Sequence, residues 1–321
     1  MSHRFCVAPM MDRTDRHERY FLRTLSKEML LYTEMIHANA VIHGNKDNLL
    51  KYHASEHPLA IQLGGSNADD LLEASLIAEG KGFDEINLNV GCPSPRVQSG
   101  SFGAVLMKQP YLVRDCLKLL VENTNIPVTV KCRIGVDEMD EDKDLDNFVT
   151  TVKDSGCKTF IIHARKAWLK GLSPKDNREI PPLNYERVYR LKDSFPDLEI
   201  IINGGIETTN DALEHLKFVD GVMVGRSAYD NPYPLVNVDK EIYSRSKLIP
   251  TRAEVLEGLV PYMENEIKNG NKLGYLTKHL MGLFKNTKHA KKARYTLANI
   301  DDDIYPMEKL KLLINETKEL C

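Results

Sequence analysis

Cys92 stands just past a short apolar run, His163 follows Phe160-Ile161-Ile162 in another, and Gln62 and Lys131 interrupt two more. Cys92 follows Asn87-Leu-Asn89-Val-Gly91 and precedes Pro93-Ser94-Pro95. Glycine and two prolines impose an irregular loop there. A thiol held on such a loop can serve as a nucleophile or a general acid, or it can be an idle loop cysteine. Lys131 and His163 come after apolar residues, so each points to a core or to an open end of the fold. Two further ends, Asn203-Gly204-Gly205 and Gly225-Arg226, suit a phosphate: glycine lets the backbone approach, amide N–H groups point inward, and an arginine adds charge. Ordinary glycine turns would look the same in isolation.

The elements that must carry these residues are legible as alternation. Eight β-rich runs recur: FCVAPM (5–10), MLLYTEM (29–35), LAIQLGG (59–65), EINLNVGC (85–92), PVTVKCRIG (127–135), TFIIHAR (159–165), EIIINGG (199–205) and GVMVGR (221–226). Between them lie segments with helical spacing, such as Leu71, Leu72, Leu76 and Ile77, or Leu112, Cys116, Leu119 and Leu120. Strands alternating with helices mean βαβ units and a parallel sheet, and eight of them in about 230 residues predict an α/β fold, the (β/α)8 TIM barrel. An open doubly wound sheet would carry GxGxxG after its first strand, and none is present. The barrel places chemistry at the C-terminal strand ends, and nearly every run carries a polar or charged group towards that end: Pro9-Met10-Met11, Glu34, Gln62, Asn89 with Cys92, Lys131 with Arg133, His163 with Arg165, Asn203 to Gly205, and Gly225-Arg226. After residue 235 the strand signal ends. Apolar faces at Leu276, Leu280, Leu283 and Phe284, and at Leu310, Leu313 and Ile314, predict a small all-α helical bundle. The expected division is 1–240 for the barrel and 241–321 for the helical part.

Composition excludes several classes. Hydrophobic residues make up 42% and charged residues 28%, which is ordinary for a globular protein and wrong for a disordered or coiled-coil chain. No apolar run approaches the ~18 residues of a membrane span, and no leader is recognisable at the start, so a cytoplasmic protein with no membrane partner is expected. Six scattered cysteines, without CxxC, give neither a disulfide framework nor a metal site. Cys6, Cys132 and Cys157 read as small core hydrophobes. The net charge of −3 hides an asymmetry: residues 240–321 hold 15 Lys/Arg and 11 Asp/Glu, whereas residues 1–239 hold 28 and 35. Residues 268–294 carry eight Lys/Arg and no acid, a patch suited to a polyanion or to a solvated helix face.

Gln62, Lys131 and His163 around one barrel mouth suit a flavin ring, with an amide for its pyrimidine edge and a cation where reduced flavin gathers negative charge. The motif Asn87-x-Asn89-x-Gly91-Cys92-Pro93-Ser94, with Gly103-Ala104-x-Leu106-Met107, resembles the signature of tRNA-dihydrouridine synthases. The resemblance extends over the whole chain through Ala8-Pro9-Met10, Gln62, Lys131-Cys132-Arg133, His163-Ala164-Arg165, Asn203-Gly204-Gly205 and Gly225-Arg226. MMDRTDRHERY near the start and HARKAWLKGLSPKDNREIPPL (163–183) resemble the A subfamily, which is associated with positions 20 and 20a of the tRNA D-loop.

The resemblance implies an FMN-bearing barrel that reduces a D-loop uridine to 5,6-dihydrouridine with NADPH as reductant. It implies FMN contacts from Pro9, Met10, Met11, Gln62, Lys131, His163, Asn203, Gly204, Gly205, Gly225 and Arg226, with Cys92 as proton donor. The target base must leave its stack, with Asn89 holding it and Arg133 or Arg165 in contact. tRNA contacts are expected from Lys175 and Arg178 after the sixth strand, and from Lys291 and Arg294 in the basic stretch. A monomer without metal is expected. The competing expectations are a small-molecule barrel flavoprotein, such as a dihydroorotate or dihydropyrimidine dehydrogenase, and a tRNA-binding protein without catalysis. The first would not need a basic helical tail, and the second would not need Cys92, Lys131 and the glycine loops together.

Overall fold

A computed structural model describes residues 2–246, 248–301 and 305–318. Cys321 lies outside them. Eight parallel strands close into a barrel in chain order: β1 (Phe5–Val7), β2 (Leu30–His37), β3 (Leu59–Gly64), β4 (Glu85–Asn89), β5 (Val128–Arg133), β6 (Thr159–His163), β7 (Glu199–Asn203) and β8 (Gly221–Val224). Closure is by β1, which pairs with β2 at Cys6↔Leu30 and with β8 at Cys6↔Met223. The fold is the expected (β/α)8 barrel, and every apolar run became a strand. Runs one, four and eight stop pairing earlier than their composition suggested, because proline or glycine follows: Pro9, Gly91 and Gly225 end the ladder and release the loops that carry chemistry.

The strands alternate between two environments. Side chains facing out, such as Leu31, Ile61, Val130 and Ile202, join the main core against the surrounding helices. Those facing in fill the barrel interior with Cys6, Leu30, Tyr32, Ala60, Ile161, Ile201 and Met223. The polar inward residues Glu85, Asn87, Thr129 and Gln62 are also buried, so they must find partners inside. Cys6, Cys132 and Cys157 are buried, as their apolar neighbours implied.

The outer helices include Arg16–Leu25, Ala68–Gly80, Pro110–Asn123, Lys143–Lys153, Tyr185–Ser194 and Thr209–His215. Their starts are chemically marked: Asp15, Asn67 and Thr208 each accept backbone N–H groups of the first turn. Beyond β8 the chain is helical, with Arg252–Lys268, Ala290–Ala298 and Pro306–Lys318 as its longer helices. The segment 273–286 is not one helix. It forms two short turns, Gly274–Thr277 and Lys278–Gly282, and Gly282 packs so closely that an added Cβ would lie 2.8 Å from Pro232 Cδ and from Tyr229 O. The helix Arg252–Lys268 docks on the barrel helix Arg16–Leu25: Tyr262 stacks on Tyr20 with centroids 3.8 Å apart, and Arg16 pairs with Glu266 at 2.5 Å. His279 Nε2 lies 3.0 Å from Asp15, adding a buried polar tie between the same regions. Among the described residues no helix is long and apolar enough to cross a membrane, and no three His, Cys, Asp or Glu side chains group to hold a metal ion.

Candidate active site

β4 delivers Asn89 and then turns. Asn89 Oδ1 accepts the backbone N–H of Gly91 at 3.2 Å and of Cys92 at 3.0 Å, folding the loop back over the strand end. The loop is then closed by Ala104 N–H donating to Cys92 O at 2.9 Å. Gly103 makes this approach possible: its φ is +73°, and a Cβ there would sit 2.6 Å from Cys92 O. Cys92 itself is half-buried at the mouth.

Two side chains fasten this loop to the long segment after β6. Gln98 Nε2 donates to Pro93 O and to Leu169 O, both at 2.8 Å. Arg133 donates to Gly91 O (2.9 Å), Lys166 O (3.0 Å) and Asn177 O (3.0 Å), and is 3% exposed. Arg133 or Arg165 was expected to contact a base; Arg133 uses Nε and Nη1 on three carbonyls, which fixes the loop that carries Cys92. Arg165 similarly donates to Pro181 O. Asn177 completes the staple by bonding both N–H and C=O of Trp168.

The floor of the mouth is polar and ordered. Gln62 Oε1 accepts from Asn89 Nδ2 at 2.8 Å, and Lys131 Nζ donates to Asn203 Oδ1 at 3.1 Å. Asn203 in turn donates to Met223 O at 2.7 Å. Burial pushes Lys131 down to about 8, and Arg133 beside it acts in the same direction. Burial also lowers Arg133 to about 10. His163 falls well below its ordinary value, through burial first and then Arg133, Lys131, Arg165 and Arg178. Cys92 is close enough for its charge to act on Lys131, Arg133 and Arg178. The mouth is a crowd of partly desolvated cations around one thiol, and an anion is what would relieve it.

Gly204 and Gly205 take φ of +117° and +71°, so the loop after β7 exposes its backbone as side chains could not. A Cβ on Gly225 would meet only Ala8 Cβ, at 4.0 Å, so that position borders open space. Among the described residues the N–H groups of Gly205 and Gly225 take no part in the protein's hydrogen bonds. Arg226 is beside them, its side chain paired with Glu179 at 2.7 Å. Pro9, Met10 and Met11 sit at the β1 end, in a turn held by Thr14 Oγ1 on Met10 N–H (3.0 Å) and by Glu34 on Asp12 N–H (2.5 Å).

The fold thus gathers Cys92, Asn89, Gln62, Lys131, His163, Asn203 to Gly205, Gly225, Arg226 and Pro9 to Met11 at the C-terminal strand ends. Arg178 reaches the same region, where the charges of Arg226 and Arg13 act on it. Lys175 is exposed on the loop after β6. Lys291 and Arg294 are exposed on the helix Ala290–Ala298, three residues apart on one face and away from the barrel strands. Arg13 was missed in the sequence. It lies over the Tyr229 ring at 4.7 Å and pairs with Asp230, and its place just after the first strand end was the available signal.

Comparison with known proteins agrees with this geometry. The family profile described as "Dihydrouridine synthase (Dus)" matches residues 6–318. A tRNA-dihydrouridine(20/20a) synthase of Synechocystis is 54% identical over 293 residues, covering 91% of this chain and 88% of that relative. Its namesake in Escherichia coli K12 is 53% identical over 298 residues, covering 92% and 86%. That of Shewanella oneidensis is 50% identical over 309 residues, covering 96% and 92%.

Proposed function

The chain belongs to the dihydrouridine synthase family, and we propose that it reduces uridines 20 and 20a of the tRNA D-loop to 5,6-dihydrouridine, with FMN as cofactor and NADPH as reductant. The observation that carries this reading is the convergence of Cys92, Gln62, Lys131 and the two glycine loops on one cationic mouth.

The residues fit FMN on physical grounds. A phosphate needs unengaged N–H donors and positive charge, which Gly205, Gly225 and Arg226 offer. Lys131 spends one donor on Asn203 and keeps two. Gln62 presents an amide, His163 a neutral ring, and Pro9 to Met11 apolar surface. When bound, FMN would supply hydride for carbon 6 of the uracil after reduction by NADPH. Cys92 Sγ–H then gives its proton to carbon 5, so that the C5=C6 double bond is saturated, and the thiolate is reprotonated from solvent. Lys131 keeps a positive charge beside the reacting region, and Lys131, Arg133 and Arg178 stabilise the thiolate left behind. Asn89, fixed by the Cys92 loop and by Gln62, is placed to hold the extruded base. Arg178 and Lys175 hold phosphates near the mouth. Lys291 and Arg294 hold them on the helical part, which serves as the tRNA-binding domain.

The purified protein is expected to be yellow, to bleach with NADPH without air, and to regain colour with unmodified tRNA but not with orotate or free uridine. Cys92→Ala should retain colour and bleaching but lose tRNA reduction by about 10²–10⁴-fold. Recolouring by orotate in place of tRNA, or full dihydrouridine formation by the variant, would overturn the proposal.

A further inference from the structure

Below the site, hydrogen-bonded side chains run through the barrel to its closed end. Asn89 Oδ1 holds the Cys92 N–H, and Asn89 Nδ2 donates to Gln62 Oε1. Gln62 Nε2 donates to Asn87 Oδ1 at 2.7 Å, and Asn87 Nδ2 donates to Thr129 Oγ1 at 2.9 Å. The Thr129 hydroxyl donates to Glu85 Oε1 at 2.6 Å. Glu85 Oε2 accepts from His3 Nε2 at 2.5 Å, and His3 Nδ1 lies 2.9 Å from Glu199. Glu85, Asn87 and Thr129 are fully enclosed, and Gln62 is 1% exposed.

Both ends of this chain allow one sense only. A carboxylate accepts, and a backbone N–H donates. Between them each group gives in one direction and takes from the other, so the run is consistent from Glu85 to Cys92. Shape alone would let an amide such as Gln62 sit either way round. Inverting one member would set donor against donor and acceptor against acceptor in a site enclosed by protein. His3 faces two carboxylates and so donates from both ring nitrogens. Burial alone would lower its pKa; its hydrogen bonds to Glu199 and Glu85 outweigh that and raise it to about 10. Glu85 is thus met by His3 at Oε2 and by the Thr129 hydroxyl at Oε1.

We infer that His3, Glu85 and Thr129 are positioning residues: the Glu85 carboxylate, fixed by His3, sets the direction of a relay that orients the Gln62 amide and pins the Cys92 loop. What Gln62 and Cys92 then do rests on the proposed function, but the relay is testable in the flavin-free and flavin-loaded protein without any turnover.

The test is hydrogen exchange at the Cys92 backbone N–H, compared with amides in β6 and β7. Thr129→Val keeps the shape and cuts the relay; exchange at Cys92 should rise by about three- to tenfold, the size of one lost hydrogen bond, with the strand amides unmoved. Thr129→Ser restores the hydroxyl and should stay within about twofold of wild type. Tyr32→Phe removes a different bond to the same carboxylate, Tyr32 Oη to Glu85 Oε1 at 2.7 Å. It lies off the relay and should leave Cys92 unchanged. A structural role alone would make Thr129→Val and Tyr32→Phe equivalent, and that result would overturn the inference. So would unchanged exchange in Thr129→Val, or a Thr129→Ser that behaves like the valine. If Thr129→Val does not fold, Thr129→Cys, a weak donor and acceptor, should still quicken Cys92 exchange, and no change there overturns the inference equally.

Discussion

The two ends of the barrel handle charge in opposite ways. At the closed end His3 lies between Glu85 and Glu199, and Tyr32, Thr129 and Thr159 bond the same carboxylates. At the mouth Lys131, Arg133 and His163 crowd together, and among the described residues none of the three is bonded to a carboxylate. Burial disfavours the cation at both ends; at the closed end the carboxylates outweigh it and raise His3, while at the mouth nothing does and Lys131 and Arg133 are depressed. The closed-end charge is thus paired with carboxylates, whereas at the mouth Lys131 is not, although Arg226 there has Glu179; on the proposed function Lys131 is left for a bound ligand.

The largest expected effect breaks the closed end. His3→Gln leaves Glu85 and Glu199 without their shared cation, and losing one partner of a buried pair costs about 3–5 kcal/mol. The pH dependence has a definite sign. The folded-state pKa of His3, about 10, lies above its ordinary 6.5. Its contribution is therefore complete below about pH 6.5 and disappears as pH rises through about 10. Urea midpoints of wild type and His3→Gln should differ most at pH 6 and converge by pH 10. A difference independent of pH would mean that His3 acts by packing.

The second effect separates the two ends. Lys131→Met should weaken FMN retention by roughly 10–100-fold, since a charge-assisted hydrogen bond is worth about 1.5–3 kcal/mol. The flavin-free variant should be at least as stable as wild type at pH 7. Lys131 has a folded-state pKa of about 8, below the ordinary lysine value, so its charged form is disfavoured by folding. Thermal midpoints of flavin-free protein and flavin titrations check both halves. A destabilised flavin-free variant would show that the mouth, like the closed end, stabilises its cation.

This contrast also marks what the sequence reveals. All eight strands were legible, because each is a short apolar run and most are bounded by proline or glycine. Cys92, Lys131 and Gln62 were legible because they interrupt or follow such runs. Glu85, Thr129 and His3 were not, since His3 and Glu85 are 82 residues apart and only barrel closure brings them together. Arg133 was legible as a charge but not as a fastener, because its three carbonyl partners come from the backbone of two distant loops. The helix Ala290–Ala298 was visible only as a basic run, since its buried side consists of little more than Ala293 and Leu297.

That helix gives the smallest effect and carries the contrast beyond the barrel. Lys292 is paired with Glu316 at 2.8 Å and Lys311 with Glu264 at 2.9 Å, which are ties within the helical part. Lys291 and Arg294 are exposed and, among the described residues, pair with no carboxylate. On the proposed function these two cations are the ones open to a polyanion. Counterion release then predicts that each lost phosphate contact lowers the salt slope of tRNA binding by about 0.7–0.9. Lys291→Ala with Arg294→Ala should flatten the slope by about 1.4–1.8 and weaken affinity at low salt, while flavin content and NADPH oxidation stay at wild-type levels. Lys292→Ala should change the slope little, because its charge is already neutralised by Glu316. Binding of unmodified tRNA at several salt concentrations distinguishes the three proteins. Equal slopes for all would mean that this face is merely solvated, and the tRNA would then be held chiefly by Lys175 and Arg178 at the mouth.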